Sequence, residues 1–285
     1  MKNKLTKKQI IRIAGSVAVL LVLYFAFELF MYVETDNAQV EAHTVMLAAK
    51  VPGFIVKSNL IEGLKVKKDD VLVEIDHREY QAALQSAESE LLSLQARKKD
   101  AEKNYSRLRD LHNQNVVSSQ QYDSAVAAYN EIKAKYDSAD ARLAQAKLNL
   151  ENTYIKAPSD GVIAKKSAEI GQLAAPGVPL IGFVSSESRW VMANFKETDI
   201  SSLHIGQKVD IKIDALSGKK YKGEIENISP ATGATFTLLP PDNATGNFTK
   251  VVQRVPVRIK FNELSQNDID RIQAGLSAIV KVHVH

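Results

Sequence analysis

Residues 49–72 read AKVPGFIVKSNLIEGLKVKKDDVL, and residues 157–180 read APSDGVIAKKSAEIGQLAAPGVPL. In one fixed register, which we call the repeat register, the two stretches share six identities, namely Ala49/Ala157, Gly53/Gly161, Ile55/Ile163, Lys57/Lys165, Gly63/Gly171 and Leu72/Leu180. Each stretch predicts short strands separated by glycine turns, because Gly tolerates positive φ. Neither stretch has enough apolar surface to fold alone, so we expect the two to pack together as one pseudo-symmetric β-sandwich.

The segment between the two stretches is predicted to form two long helices. From about Glu79 to Asn113 it contains neither Gly nor Pro. Seam residues recur at steps of four and three, which is typical of a coiled coil. The two series are Tyr80, Leu84, Ala87, Leu91, Leu94, Lys98, Ala101, Tyr105, Leu108 and Ala125, Tyr129, Ile132, Tyr136, Ala139, Leu143, Ala146, Leu150. Ser118 or Ser119 can cap the second helix. We expect an antiparallel α-hairpin on the order of 50 Å long.

The last third of the chain predicts a small antiparallel β-barrel, because short strand-like runs follow one another with few helical patterns between them. The runs are Trp190–Phe195, Val209–Ile213, Lys222–Ile228, Val251–Phe261 and Ala278–His285. Residues Asp36–Val40 lie between the N-terminal apolar segment and the first repeated stretch, and they can add a strand to this barrel.

The N-terminal segment predicts a transmembrane anchor at residues 13–33. This segment is apolar apart from Gly15, Ser16 and Glu28, and as a helix it spans roughly 30 Å, the thickness of a bilayer core. The preceding residues carry five basic side chains, which places the N-terminus in the cytoplasm and the bulk of the chain outside. The alternative is a cleaved signal peptide. We favour an uncleaved anchor, because no clear small-x-small cleavage site precedes Tyr32.

Charge and composition argue against several function classes. The chain has no Cys, so cysteine-based zinc sites are excluded. Without the five N-terminal basic residues, 32 of the 37 Lys and Arg remain against 33 Asp and Glu, which leaves no general basic excess for nucleic acid. No nucleophile elbow, P-loop or dinucleotide fingerprint occurs. His283 and His285 lack a third nearby ligand. We therefore predict no catalytic residues, no metal site, no cofactor and no nucleic-acid partner.

Three runs carry a resemblance to a known family. They are Thr35-Asp36-Asn37-Ala38, Ala193-Asn194-Phe195-Lys196-Glu197-Thr198, and a longer run with Gly233, Phe236, Leu238-Leu239-Pro240, Asn243-Ala244-Thr245-Gly246-Asn247 and Val251–Ile259. With the order of segments above, the chain resembles the periplasmic adaptors, or membrane fusion proteins, of the HlyD family. Among these it is similar to the EmrA-type subunits of multidrug efflux systems. The resemblance implies a mixed α and β fold: a transmembrane helix, a split lipoyl-like β-sandwich interrupted by the hairpin, and a β-barrel.

The resemblance also divides the chain. The expected segments are a basic cytoplasmic tail (1–12), an anchor (13–33), a linker or barrel strand (34–44), a first lipoyl-like half (45–76), the α-hairpin (77–153, tip about 112–119), a second lipoyl-like half (154–186) and the β-barrel (187–285).

By resemblance, the chain is an adaptor in the bacterial inner membrane with its bulk in the periplasm. It would link a major-facilitator drug/proton antiporter to a TolC-like outer-membrane channel, with several copies forming a homo-oligomeric ring, a trimer or a hexamer. Adaptors that meet such channels carry an Arg-x3-Leu-x6-Ser pattern at the hairpin tip, and Arg107, Leu111 and Ser118 have that spacing. This hairpin is shorter than those of EmrA-type subunits, which leaves its reach open.

The loop at residues 230–250 contains apolar residues that either fold onto the barrel or meet a partner. We interpret Phe236, Leu238, Leu239, Asn243 and Phe248 as a candidate contact with the pump or with a neighbouring subunit. Two alternatives for the whole chain stay open. One is a HlyD-type adaptor of an ABC-driven type I secretion system. The other, more remote, is a lipoyl or biotin carrier, against which the absence of a Met-Lys-Met-like turn argues.

Overall fold

The computed structural model describes residues 31–216, 218–232, 235 and 252–284. The chain divides into two compact units, one of residues 44–184 and one that combines the residues before 44 with those from 185 onwards. The strands are β1 (Tyr32–Ala48), β2 (Gly53–Ser58), β3 (Lys65–Val66), β4 (Val71–Ile75), β5 (Tyr154–Lys156), β6 (Gly161–Lys166), β7 (Leu173–Ala174), β8 (Pro179–Lys196), β9 (Lys208–Ile213), β10 (Lys220–Ile228), β11 (Arg254–Phe261) and β12 (Ser277–His283). The helices are α1 (Arg78–Asn113), α2 (Ser119–Glu151) and α3 (Gln266–Arg271).

In the unit of residues 44–184, the two repeated stretches form one sandwich with a common apolar core. Strands β5, β4, β2 and β7 make one sheet in that order, and β3 pairs with β6 in the other. The backbone hydrogen bonds follow the repeat register. The Gly63 N–H donates to the Ile163 carbonyl at 2.8 Å, and the Gly171 N–H donates to the Ile55 carbonyl at 2.8 Å. These equivalent bonds confirm the predicted pseudo-symmetric sandwich.

Helices α1 and α2 fill the insertion between the two halves of this sandwich, and they run antiparallel in contact with each other. Near one end of the pair the Arg142 guanidinium lies 3.2 Å from the Glu90 carboxylate. Further along, the rings of Tyr105 and Tyr129 stack at 5.4 Å. The buried residues of α2 are Ala125, Ala139 and Leu143, all from the predicted second seam series. Whether the two helices supercoil stays a prediction.

The second unit is a β-barrel. Its antiparallel strand order is β1-β12-β9-β10-β11-β8, and a further pairing of β1 with β8 joins the ends of this order. The barrel core is apolar, with Phe195, Ile211, Ile259 and Val280 almost fully buried. Residues Asp36–Val40 lie inside β1, so the predicted additional barrel strand is confirmed.

One boundary from the sequence is wrong. Tyr32 and Val33, assigned to the anchor, pair with His283 and Val282 of β12. Both residues are apolar, and an apolar residue suits the end of a membrane helix as well as a barrel strand. Their pairing with β12 shows that they belong to the strand. Residues 34–44, predicted as a linker or a barrel strand, belong to strand β1. Within the part of the chain that the structure describes, no helix is long and apolar enough to cross a membrane, and residues 13–30 of the predicted anchor lie outside that part.

Candidate functional site

The turn between α1 and α2 is a compact connection of residues 114–118. Asn115 has a positive φ of 57°, a conformation that Asn tolerates better than most residues. Its N–H donates to the His112 carbonyl at 2.9 Å, and the Val116 N–H donates to the Leu111 carbonyl at 2.9 Å. This pair of bonds is the Schellman arrangement, which satisfies the last carbonyl groups of a helix. Helix α1 therefore ends in a defined geometry.

Helix α2 begins with an equally complete cap at Ser118. The Ser118 hydroxyl oxygen accepts from the Gln121 N–H at 3.4 Å, while the Gln121 side-chain oxygen accepts from the Ser118 N–H at 3.2 Å. This reciprocal pair is a capping box. The two helix ends at the tip are thus held by local hydrogen bonds, so the tip presents its exposed side chains in a preorganised arrangement.

Of the three predicted channel-contact residues, the structure places Leu111 and Ser118 at the two helix ends beside this turn, and Arg107 almost two helical turns before it. Arg107 and Ser118 are exposed, and Leu111 is half-buried. Arg107 lies one helical turn before Leu111, so the two share a face of α1. Val116, which the predicted set omits, has the most exposed large apolar side chain of the tip, at 65%. It follows Asn115 directly, and the geometry of the turn sets its exposure.

Ser118 has a structural role whatever docks at the tip. We expect Ser118→Ala to destabilise the start of α2 by about 1 kcal/mol, because it removes the side-chain half of the capping box. Ser118→Asn keeps a capping acceptor and should retain that stability. Amide hydrogen exchange at residues 119–122 measures the difference directly. Equal exchange in the two variants would contradict the structural role of the hydroxyl.

A stack of aromatic rings near the tip is a feature that the site prediction missed. The His112 ring lies parallel to Tyr122 at 5.0 Å, Tyr122 faces Tyr105 at 6.1 Å, and Tyr105 stacks on Tyr129. A hydrogen bond with Tyr105 is the main cause that raises the pKa of Tyr122 above its usual value. Tyr105 and Tyr129 occupy predicted seam positions, and that spacing was the available signal. The stack fastens the two helices immediately below the tip.

A polar cluster on the barrel brings together three distant parts of the chain. A β-bulge interrupts the pairing of β1 with β12 between Thr35 and Ala38. The buried Thr35 hydroxyl accepts from the Asn37 N–H at 3.2 Å and donates to the Asn194 carbonyl at 3.0 Å. That same carbonyl accepts from an Arg254 N–H at 3.2 Å, and the Asn194 side-chain amide donates to the Asn37 side-chain oxygen at 3.1 Å. The bulge and Asn194 thus position one another.

A cavity of about 420 Å³ opens beside this polar cluster. Its lining residues are Asp36, Asn37, Ala38, Gln39, Asn194, Arg254 and Ser277. The cavity combines one carboxylate, one guanidinium and several amide groups, so it suits a polar, hydrogen-bonding partner better than an apolar molecule. Sequence reasoning identified the segments that contain Asp36, Asn194 and Arg254 but did not bring them together, and it did not single out Ser277.

The other candidate residues have different outcomes. Phe236, Leu238, Leu239, Asn243 and Phe248 lie outside the described residues. The His283 ring nitrogen lies 3.0 Å from an Asp210 carboxylate oxygen, and this interaction is part of the barrel wall. Among residues 31–216, 218–232, 235 and 252–284, no three His, Asp or Glu side chains are grouped as metal ligands.

Comparison with known proteins decides the family. Residues 43–182 match the family described as "RND MFP, barrel-sandwich hybrid domain", and residues 188–238 match the family "CusB-like, beta-barrel domain". The colistin resistance protein EmrA of Acinetobacter baumannii is 32% identical, with 92% of this chain and 89% of that protein aligned. The multidrug export protein EmrA of Escherichia coli K12 is 31% identical, with 93% and 80% aligned. The chain belongs to the membrane fusion protein family.

A solved structure of this family has the same fold. The membrane fusion protein Spr0693 from Streptococcus pneumoniae R6 superposes with a TM-score of 0.64 at 17% identity, over 88% of this chain and 97% of that one. In the present chain, the runs that carry the sequence resemblance contribute Thr35, Asn194 and Arg254 to the polar cluster of the barrel. Their hydrogen bonds to one another hold these runs together in the barrel.

Proposed function

We propose that this membrane fusion protein is the periplasmic adaptor of a tripartite multidrug efflux system. In this proposal the residues before β1 anchor the chain in the inner membrane, with the basic tail in the cytoplasm. A major-facilitator drug/proton antiporter is the inner-membrane partner, and a TolC-like channel is the outer-membrane partner. Several copies form a ring around the conduit. The adaptor's work is geometric, and the antiporter supplies the energy.

The observation that carries this proposal is the tip of the hairpin. Helix α1 has 36 residues and therefore extends roughly 50 Å, yet its far end contributes nothing to the core of the sandwich. Two complete caps organise that end, and Val116 and Arg107 are exposed on it. A defined turn with an exposed apolar residue and an exposed guanidinium is well suited to docking on another protein.

The proposed division of labour follows the segments of the chain. The two lipoyl-like halves hold the base of the hairpin, the hairpin reaches towards the channel, and the first strand of the barrel directly follows the anchor in the chain. The loop residues Phe236, Leu238, Leu239, Asn243 and Phe248 are proposed to contact the antiporter or a neighbouring subunit. The relatives named above are called a colistin resistance protein and a multidrug export protein, so colistin and unrelated hydrophobic drugs are the first substrates to test.

Deletion and complementation test this function. Loss of the gene is expected to lower resistance to the exported drugs, and the wild-type chain expressed together with the antiporter should restore it. Deletion of the channel gene should abolish that restoration. A normal drug profile in the deletion strain, combined with a defect in the secretion of a protein substrate, would instead favour a type I secretion adaptor.

The cavity beside Arg254 is proposed to contact the antiporter. Asp36 lies four residues after Tyr32, the start of β1, which corresponds to about 13 Å along an extended strand. If the preceding residues form the anchor, the cavity lies close to the membrane surface. We expect Arg254→Ala to reduce copurification of the antiporter several-fold, because the guanidinium and its charge leave the cavity wall.

Arg271→Ala is the matched control for this experiment. Arg271 is an exposed arginine at the end of α3 in the same unit, and it does not line the cavity. We expect this variant to copurify the antiporter as the wild type does. Equal copurification by both variants would remove Arg254 from the contact, and it would leave the proposed role of the hairpin tip untouched.

A further inference from the structure

One outer face of the sandwich carries an exposed apolar cluster. Phe54 of β2 lies directly opposite Leu173 of β7 in the antiparallel pair. Phe54 is 58% exposed and Leu173 is 57% exposed. Val56 and Ile170 beside them are also exposed. We call Phe54, Val56, Ile170 and Leu173 the apolar knob. Four large apolar side chains grouped on one face indicate a contact surface rather than scattered exposure.

The pseudo-symmetry of the sandwich shows what stands at the equivalent places. In the repeat register, Phe54 corresponds to Val162 and Val56 corresponds to Ala164. Leu173 corresponds to Lys65, and Ile170 corresponds to Glu62. The bulky apolar side chains of the knob are thus replaced by smaller apolar side chains, a lysine and a glutamate. The same structural element occurs twice in the sandwich. It carries large apolar side chains on one outer face and smaller or charged side chains on the other.

The small face has a groove. A cavity of about 220 Å³ beside β6 is lined by Thr44, Val45, Met46, Ala164, Lys165, Gly182, Phe183 and Val184, and we call it the apolar groove. Ile55 and Ile163 both point into the shared core. Because successive side chains of a strand alternate between faces, Phe54 and Ala164 point away from that core on different sheets. The knob and the groove therefore lie on opposite faces of the same sandwich.

From this geometry we propose that the apolar knob of one copy docks into the apolar groove of the next copy. Two complementary surfaces on opposite faces of one unit cannot meet within a chain. Between chains they make a head-to-tail contact, which closes into a ring when the rotation allows it. The inference deepens the proposed function, since it assigns the residues of the ring contact.

Charged side chains of opposite sign, Glu169 and Lys165, stand beside the two surfaces, and Lys57 next to Val56 adds a positive charge at the knob. Glu169 adjoins the knob residue Ile170, and its side chain is 70% exposed while one of its oxygens binds Lys166 of the same chain at 3.0 Å. Lys165 lines the groove and is exposed. A stable interface buries about 800 Å² per partner, which is more than four side chains provide. The contact is therefore weak in dilute solution and has to be trapped covalently.

Because the chain has no Cys, a thiol crosslink can form only at an introduced residue. The full-length chain in native membranes would carry Phe54→Cys or Ala164→Cys, and a short bis-maleimide would join the thiols. We expect crosslinked dimers when the two single variants are coexpressed, and none from either variant alone. The double variant should give a ladder that ends at the ring size. Leu173→Asp added to the Phe54→Cys chain should lower the dimer yield at least five-fold.

Leu92→Cys provides the matched control, because Leu92 is exposed and apolar but lies on α1 away from both sheets. Coexpressed with Ala164→Cys, it should give no dimer. Dimers from Phe54→Cys alone would show a symmetric contact and overturn the proposal, as would the absence of dimers from the folded mixed pair. The readout does not use drug resistance. Crosslinks without any resistance phenotype would reject the efflux function only, and resistance without crosslinks would reject this interface only.

Discussion

Arg107→Glu and Leu111→Asp, each made in the full-length chain, should reduce drug resistance to the level of the deletion strain. Arg107 is exposed on the last turns of α1, where a guanidinium can bind carbonyl or carboxylate groups of a channel rim in a bidentate way. Reversal of its charge converts that attraction into repulsion. Leu111 is half-buried at the same end, and a carboxylate there cannot fill an apolar notch without losing its hydration.

Both variants should remain folded. The Leu111 group that holds the turn is its backbone carbonyl, which accepts from the Val116 N–H and is unchanged by the substitution. Arg107 has no role in the capping box of Ser118 and Gln121. The expected loss therefore comes from docking alone. Expression, membrane location and crosslinking through the sandwich should match the wild type.

Arg97→Glu and Leu92→Asp are the controls for the two substitutions. Both residues are exposed on α1, and they lie more than two helical turns before Arg107 in the chain. We expect each to retain resistance. Minimum inhibitory concentrations and capture of the channel by the tagged adaptor measure the outcome. Wild-type resistance in Arg107→Glu and Leu111→Asp would refute the assignment of the tip as the channel contact.

The parts of the fold that the sequence predicts are those governed by local periodicity. Glycine turns at Gly63 and Gly171 recur because each half of the sandwich needs the same backbone path, and the repeat register is visible without coordinates. The helical series predicts α1 and α2 for a similar reason. The boundary at Tyr32 is different, because an apolar residue there suits both a membrane helix and a strand.

The polar cluster of the barrel depends on long-range register. A bulge between Thr35 and Ala38 turns the Thr35 hydroxyl towards Asn194, and the residues involved are 159 positions apart. Sequence periodicity carries no information about that pairing. The positions of the apolar knob and the apolar groove have the same origin, since each depends on how separate segments meet.

Gly161→Ala should strongly destabilise the sandwich. A Cβ at Gly161 would overlap the Phe183 ring and lie 2.5 Å from the Val184 carbonyl oxygen. The ring can move only into a filled core, and the carbonyl belongs to strand β8. Overpacking of this kind costs about 3 kcal/mol, which would lower the melting temperature by roughly 6–12 °C. Thermal unfolding of the detergent-solubilised protein followed by circular dichroism measures this shift.

Gly182→Ala separates overpacking from a general effect of replacing glycine. A Cβ at Gly182 would meet Lys165 Cβ at 3.0 Å and the Lys165 nitrogen at 3.3 Å, which small movements relieve, so we expect a loss below about 1 kcal/mol. A second change, Phe183→Leu, removes the ring edge but leaves the Val184 carbonyl in place. It should therefore rescue Gly161→Ala only in part. Full rescue would show that the ring alone is responsible. A melting temperature of Gly161→Ala equal to that of the wild type would show that β6 and β8, both in the second half of the sandwich, pack less closely than these distances require.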